Sequence, residues 1–575
     1  MTGEWWILPP AVAPFAGALL LPLLPKKFRS TAFLVFTLAA LALAAAIPDG
    51  AALSVRLMGT ELVLLKMDAL ARVFGLIFAF IAFAGGLYGF HLKDAAQQAA
   101  ALLYAGSALG VAFAGDLFTL LVFWEILALA STYLVWARRV EESLKAGFRY
   151  LMVHLFGGGM LLAGVILHVS KTGSTAVERL APDGSPASWL MLIGVGLNAA
   201  IPPLHAWLPD AYPMATVTGA VFMSAFTTKA AVYVLIRVFP GWKILLVMGV
   251  LMTIYGVVFA VLANDIRRIL SYHIISQVGY MVAGAGIGTE MALNGSAAHA
   301  YSHILYKALL FMGAGAVIQT TGRSKLSELG GLAERQKTIF ILYMIAAFSI
   351  SGVPLFNGFI SKSMVVAAAD EAGLPAAMLL LTLASVGTFL SVGLKLPYFT
   401  WFGGKGKLGS PQAARPPRNM LLGMGLVAAL CVGYGVAPTL LYGILPFPVE
   451  YRPYTGAHLA ETIQILAFTF VAFWLARKIL TPKPHQLLDL DWFYRRPAAL
   501  FRRIFVDAPA AAYAWTDRLA VSVIARAAAF GRNPAGTISG GGDYSPDRYR
   551  PTTETLILLA LGVFVVLALA GILII

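Results

Sequence analysis

Residues 196–213 read GLNAAIPPLHAWLPDAYP, and residues 349–366 read SISGVPLFNGFISKSMVV. Each stretch sets proline in the middle of an apolar run: Pro202 and Pro203 in the first, and Pro354 between Gly352 and Gly358 in the second. Proline lacks the backbone donor and clashes with the preceding turn, so both predicted helices break. Broken backbone at membrane depth is tolerated where it is buried in protein or lines a wet cavity. The breaks lie five predicted spans apart, and an odd offset reverses direction across a bilayer. That is the pattern of two inverted five-helix repeats, each containing one discontinuous helix. Two ordinary proline kinks are the simpler alternative.

The rest of the chain fits a membrane reading. Of 575 residues, 59% are hydrophobic and 12% are charged, against about 25% charged in soluble domains. The mean hydropathy is +0.80. Apolar runs of about 20 residues predict an all-α polytopic membrane protein of about sixteen spans. Their centres fall near residues 15, 38, 80, 107, 127, 158, 199, 226, 253, 278, 307, 350, 388, 431, 470 and 565. The basic loops PKKFR (25–29), ARRVEESLK (137–145), NDIRR (264–268), GRSKLSELGGLAERQK (322–337) and GGKGKLGSPQAARPPR (403–418) all fall on one face with this count. The positive-inside rule makes that face cytoplasmic and puts both termini outside. The net charge of +15 is thereby accounted for without nucleic acid. The first run, WWILPPAVAPFAGALLLPLL (5–24), lacks a basic leading region and is expected to remain as a spanning helix. The single Cys431 lies in an apolar span and excludes a disulfide framework or a cysteine metal site.

Several charged groups fall inside these spans. At mid-bilayer each costs about 2.5–3.5 kcal/mol on insertion scales, which makes them functional candidates. Glu125, Lys229 and Lys307 are central in their spans, and Lys362 follows the second break. His299 and His303 precede Lys307 at helical spacing i, i+4, i+8, so the three lie on one face about 6 Å apart. At 4 Å and an effective dielectric near 20, a carboxylate attracts a lysine by about 4 kcal/mol. Moving the carboxylate therefore loads or unloads the lysine, and such a ladder can pass protons along the membrane interior. A static Glu125–Lys229 ion pair locking two helices is the other reading. Arg237, Lys395 and Arg477 lie near span ends and are expected to snorkel. His154, His168 and His205 read as structural hydrogen-bonders, and Asp116 as a helix cap.

After residue 480 the pattern changes. DWFYRRPAALFRRIFVDAPAAAYAWTDRLAVSVIARAAAF (491–530) places Arg503, Asp507, Arg518, Ser522 and Arg526 near one stripe, while Phe501, Ile504, Phe505, Trp515, Leu519 and Val523 face elsewhere. This predicts an amphipathic helix on the cytoplasmic face. GRNPAGTISGGGDYSPDRYRP (531–551) reads as a connector to the last span. The expected organisation is N-terminal spans 1–95, a first repeat 96–240, a second repeat 241–403, peripheral spans 404–482, the amphipathic segment and linker 483–551, and a last span 552–575.

The motifs WEILALASTYLV (124–135), PPLHAWLPDAYP (202–213), DIRRILSYHIISQVGYM (265–281), HAYSHILYKALLFMGAG (299–315) and GVPLFNGFISK (352–362), in this order, resemble the antiporter-like subunit family. Its members are the D and A subunits of Mrp-type cation/proton antiporters and the three large proton-pumping subunits of respiratory complex I. The resemblance covers residues 70 to 400. It implies a fourteen-helix core in two inverted repeats with a central hydrophilic axis. By motif, Glu125 resembles the family's helix-5 glutamate, Lys229 a helix-8 lysine of D-type subunits, Lys307 the helix-11 lysine and Lys362 the lysine of broken helix 12. His299 and His303 fit the helix-11 histidines. The tail resembles, in shortened form, a lateral helix and last span of the most distal complex I pump. Asn198 departs from the pattern: the family carries lysine there, the partner of the helix-5 glutamate. Glu125 is left to pair with Lys229, or the first half-channel is altered.

The implied function is a D-like subunit of a bacterial Na⁺ or K⁺/proton antiporter in the cell inner membrane, working with other membrane subunits. The alternative is a proton-translocating subunit of a complex I-like or membrane-bound hydrogenase complex. A scaffold for a separate uptake protein is the third reading. Without a cysteine cluster, dinucleotide fingerprint or haem signature, no cofactor or metal is expected in the chain.

Overall fold

The computed structural model describes residues 8–57, 59–403, 415–483, 487–539 and 550–574. Residues 404–414 of the last basic loop and 540–549 of the connector lie outside them. The chain divides into two units, Met1–Asp489 and Leu490–Ile575.

In the first unit, helices follow at nearly every expected span: α1 (Val12–Leu20), α2 (Lys26–Ala46), α3 (Ala69–Tyr88), α4 (Ala95–Phe113), α5 (Leu117–Trp136), α6 (Glu141–Thr172) and α7 (Pro186–Asn198). After these come α8 (Val217–Val238), α9 (Lys243–Leu262), α10 (Ile266–Ile287), α11 (Glu290–Thr321), α12 (Lys337–Ser351), α13 (Asn357–Glu371), α14 (Pro375–Thr388), α15 (Arg418–Val436) and α16 (Gly456–Ala476). Among the described residues of the whole chain, eleven helices are long and apolar enough to cross a membrane. The other five expected centres fall on the shorter α1, α7 and α12, and on α4 and α10, which carry more polar groups. The apolar side chains on the outer faces of α2, α6 and α9, such as Val35, Phe156 and Leu251, are exposed, as a lipid-facing surface requires.

The ends of these helices are written locally. Asp68, Asp94, Asp116 and Asp265 cap α3, α4, α5 and α10 by accepting backbone N–H groups, which satisfies donors that the first turn leaves free. One element escapes the all-helical expectation. An antiparallel hairpin, β1 (Ala52–Leu57) and β2 (Thr60–Lys66), docks on the α4–α5 turn, where Val63 N–H donates to Asp116 at 2.7 Å and Gly115 N–H to the Val63 carbonyl at 2.9 Å.

The internal repeat is visible in the backbone. Leu117 N–H bonds the Thr175 carbonyl at 2.7 Å, and Ile266 N–H bonds the Ser324 carbonyl at 2.8 Å. Both partners recur 149 residues on (117 to 266, 175 to 324). The same offset relates α6 to α11, each 32 residues long, and their left-handed C-caps Gly173 and Gly322. Both expected breaks are present. α7 stops at Asn198 and Ala200 turns left-handed at φ 59°. α12 stops at Ser351, with Gly352 and Leu355 left-handed at φ 74°. The carbonyls freed at the breaks find side-chain donors, which buried backbone requires: Trp207 Nε1 donates to the Leu197 carbonyl at 3.0 Å, and Lys362 Nζ to the Ile350 carbonyl at 2.6 Å.

Asp489 closes the first unit. It accepts from His205 Nε2 at 3.1 Å, from the Tyr272 phenol at 2.6 Å and from Tyr255. Burial raises its pKa, but the hydrogen bond and charge of His205 and the two phenols outweigh this and hold the carboxyl at about 2. A depressed carboxyl stabilises the fold fully above its unfolded value of about 3.9, and that contribution is lost as pH falls toward 2. Asp489→Asn should therefore lower the melting temperature at neutral pH by the equivalent of about 2 kcal/mol. It should also flatten the loss of stability between pH about 4 and 2, as read by thermal unfolding in detergent across pH.

The second unit contains α17 (Trp492–Arg502), a π-helical turn at Arg503–Asp507, α18 (Ala508–Arg532) and α19 (Thr553–Ile574). Helix runs on through Pro509, and Phe501, Phe505, Trp515 and Leu519 are exposed.

Candidate functional site

α8 is interrupted at Phe226, whose φ of −101° and ψ of −66° end the first half-helix. Lys229 follows one turn later and is fully buried. Its Nζ donates to the Ser224 carbonyl at 2.6 Å and to Thr228 Oγ1 at 3.0 Å. Lys362 stands in the same relation to the second break, bonding Ile350 O and, at 3.2 Å, Ser385 Oγ. In both places a discontinuous helix offers a bare carbonyl, and a buried lysine Nζ donates to it.

Between these two lysines runs α11. Its residues His299, His303 and Lys307 are all 0% exposed. His299 and His303 have ring centroids 6.3 Å apart. His299 faces Ser361 Oγ at 3.3 Å and the Tyr306 hydroxyl at 3.4 Å. Tyr306 in turn donates to Gln277 at 3.4 Å. Lys362 Nζ lies 5.5 Å from the Tyr280 ring centre, and Tyr280 lies 5.6 Å from His299. Lys307 Nζ and both His303 ring nitrogens bond no protein group among the described residues. A buried group without a fixed partner is poised to exchange partners, because holding it unpaired is costly.

Glu125 stands apart. It is half-buried on α5, and its carboxylate fills the space beside Gly158 of α6. A Cβ at Gly158 would fall 1.6 Å from Glu125 Oε1. The Glu125–Lys229 pairing is therefore not what the fold builds. Among the described residues no ion pair links them, because the glutamate turns to α6 while the lysine turns back to its own helix kink. Asn198 is fully buried, and neither its amide nitrogen nor its oxygen bonds a protein group among the described residues. The 149-residue offset sharpens the asymmetry: His154 corresponds to His303, but Gly158 corresponds to Lys307 and Glu125 to Ile274.

Lys395 does not snorkel. It is 4% exposed, at the end of the π-helical turn Phe389–Lys395, and its Nζ bonds the carbonyls of Ala263, at 3.1 Å, and Val261 at the end of α9. Arg237 pairs with Asp68 at 2.7 Å, and Arg477 bonds the Trp474 carbonyl. The same turn supplies Ser391, which meets His273 of α10. Sequence reasoning passes over His273, Gln277 and Tyr280 as site residues, although their i, i+4, i+7 spacing is a polar stripe in an otherwise apolar span. Cys431 and Asp116 are structural: the thiol is buried, and Asp116 caps α5.

A family model described as NADH:quinone oxidoreductase/Mrp antiporter, transmembrane, matches residues 114–391. The chain is 30% identical over 357 residues to the D subunit of the Na⁺/H⁺ antiporter of Alkalihalophilus pseudofirmus, spanning 58% of this chain and 72% of that one. It is 32% identical over 415 residues to the N subunit of the NADH-quinone oxidoreductase of Desulforudis audaxviator, spanning 66% and 81%. Its fold matches a chain of the Mrp complex of Dietzia sp. DQ12-45-1b with a TM-score of 0.70 at 21% identity, over 81% of this chain and 98% of that one. It is thus a multi-pass membrane protein, and the chain belongs to the NADH:quinone oxidoreductase/Mrp antiporter family.

Proposed function

We propose that the chain is a subunit of a multisubunit Na⁺ or K⁺/proton antiporter in the cell inner membrane. Protons move through the buried axis Lys229, Lys307, His303, His299 and Lys362, with Glu125 acting at its edge. The observation that carries this reading is the unbroken row of titratable side chains on α11 between the two kink-capping lysines. Residues 96–240 and 241–403 form the two repeats that hold the axis. Residues 1–95 and 404–482 supply the flanking spans, the described part of 483–551 the amphipathic segment, and 552–575 the last span. In everted vesicles carrying the assembled complex, adding Na⁺ or K⁺ should collapse an imposed pH gradient. Lys229→Ala should abolish the response. A response to neither cation, in vesicles where the complex is fully assembled, would refute antiport. The likeness to the NADH-quinone oxidoreductase relative favours a second reading, a proton-translocating subunit of an NADH:quinone oxidoreductase-type complex. In that case acidification would follow an electron donor rather than a cation.

A further inference from the structure

On the face that bears the basic loops, a cavity of about 450 Å³ opens among the ends of several helices of the first unit. His91 and Lys93 reach it from the α3–α4 turn, Arg138 from the end of α5, and Arg267 from the start of α10, while Thr216 and Thr218 bring the N-terminus of α8. No carboxylate lines it among the described residues. Arg138 and Arg267 converge on one acceptor, the Pro213 carbonyl, with Arg138 Nη1 at 3.0 Å. Arg267 is 3% exposed, also bonds the Ala215 carbonyl at 2.9 Å, and leaves its Nε without a protein partner among the described residues. Asp265, whose charge acts on Arg267, caps α10, and Asp94 caps α4 and meets Arg139 at 3.5 Å, so neither carboxylate enters the cavity. Two guanidinium groups that share one neutral acceptor, one of them buried, repel each other. A helix N-terminus adds further positive potential. Arginine's planar fork suits phosphate oxygens, and basic pockets between helices on the cytoplasmic side suit lipid headgroups.

We propose that this cavity binds a phosphate group, carried by an anionic phospholipid or free in the cytoplasm. The bound phosphate bridges the guanidinium groups of Arg138 and Arg267 to the start of α8, the helix that carries Lys229.

The test uses the full chain in detergent, with native mass spectrometry reading retained phosphatidylglycerol against phosphatidylcholine. Inorganic phosphate is offered in a separate arm. Lys93 and Arg138 are both exposed, so Lys93→Gln/Arg138→Gln should fold. It should bind the anion about thirty-fold more weakly, which is about 1 kcal/mol for each basic residue removed. Lys26→Gln/Lys27→Gln, on the same face, should bind as wild type does. Selective retention of phosphatidylglycerol assigns the lipid, and binding of inorganic phosphate without lipid preference assigns the free anion. The proposal fails if neither binds, or if both double variants behave alike.

Discussion

Lys307→Met should reduce proton-coupled transport by about 10²-fold or more, the scale for removing one proton-transfer group, while the protein inserts and melts at or above the wild-type temperature. The second half of that expectation separates a relay from a strut. The Lys307 side-chain nitrogen bonds no protein group among the described residues, so methionine keeps the volume and removes a buried polar group that no described side chain satisfies. A lysine that held helices together would leave stranded acceptors and a less stable protein. Transport in reconstituted vesicles and thermal unfolding of the same preparation decide it. Wild-type rates in the well-inserted variant would rule out the α11 row as the route.

Gly158→Ala should impair transport about as strongly as Glu125→Gln, again by about 10²-fold. Alanine is favoured over glycine inside a helix by about 1 kcal/mol, so on helix propensity alone the substitution is benign. Its Cβ would nonetheless fall 1.6 Å from Glu125 Oε1. The end of a glutamate side chain yields easily, so the fold survives and only the carboxylate changes place. Because both substitutions act on one group, the double variant should lose little more than either single one. Normal transport by Gly158→Ala would show that the carboxylate is not needed at that position, and additive losses would separate the two residues.

Much of this was legible in the sequence because the signals are local. Proline at 202–203 and 354, beside left-handed Ala200, Gly352 and Leu355, marks the two breaks, and the i, i+4, i+8 row of α11 needs only helical geometry. The hairpin at Ala52–Lys66 was not legible, since its short strands merge with apolar flanks and its docking point on the α4–α5 turn is distant in sequence. The fate of Lys395 was hidden for a related reason. Near a span end a lysine ordinarily reaches for water, and only the π-helical turn and the bare carbonyls of α9 turn it inward. Of the two alternatives for Glu125, pairing with Lys229 is not the one the fold builds, because spacing says which residues share a helix face, not which neighbouring helix that face meets.

The correspondence between α6 and α11 has a consequence for direction. Two copies of one ancestral segment, if identical, would hold an extra proton equally well, and the pathway would have no preferred resting place for it. Here one copy keeps histidine and lysine, at His303 and Lys307, while the other keeps only the histidine, His154, and its glycine admits an acid from α5. On the proposed proton route the two copies therefore offer unlike hosts, a basic group in one and an acid in the other. The 149-residue repeat gives the fold its symmetry, and the differences at Gly158/Lys307 and Glu125/Ile274 give the proposed proton route unequal ends.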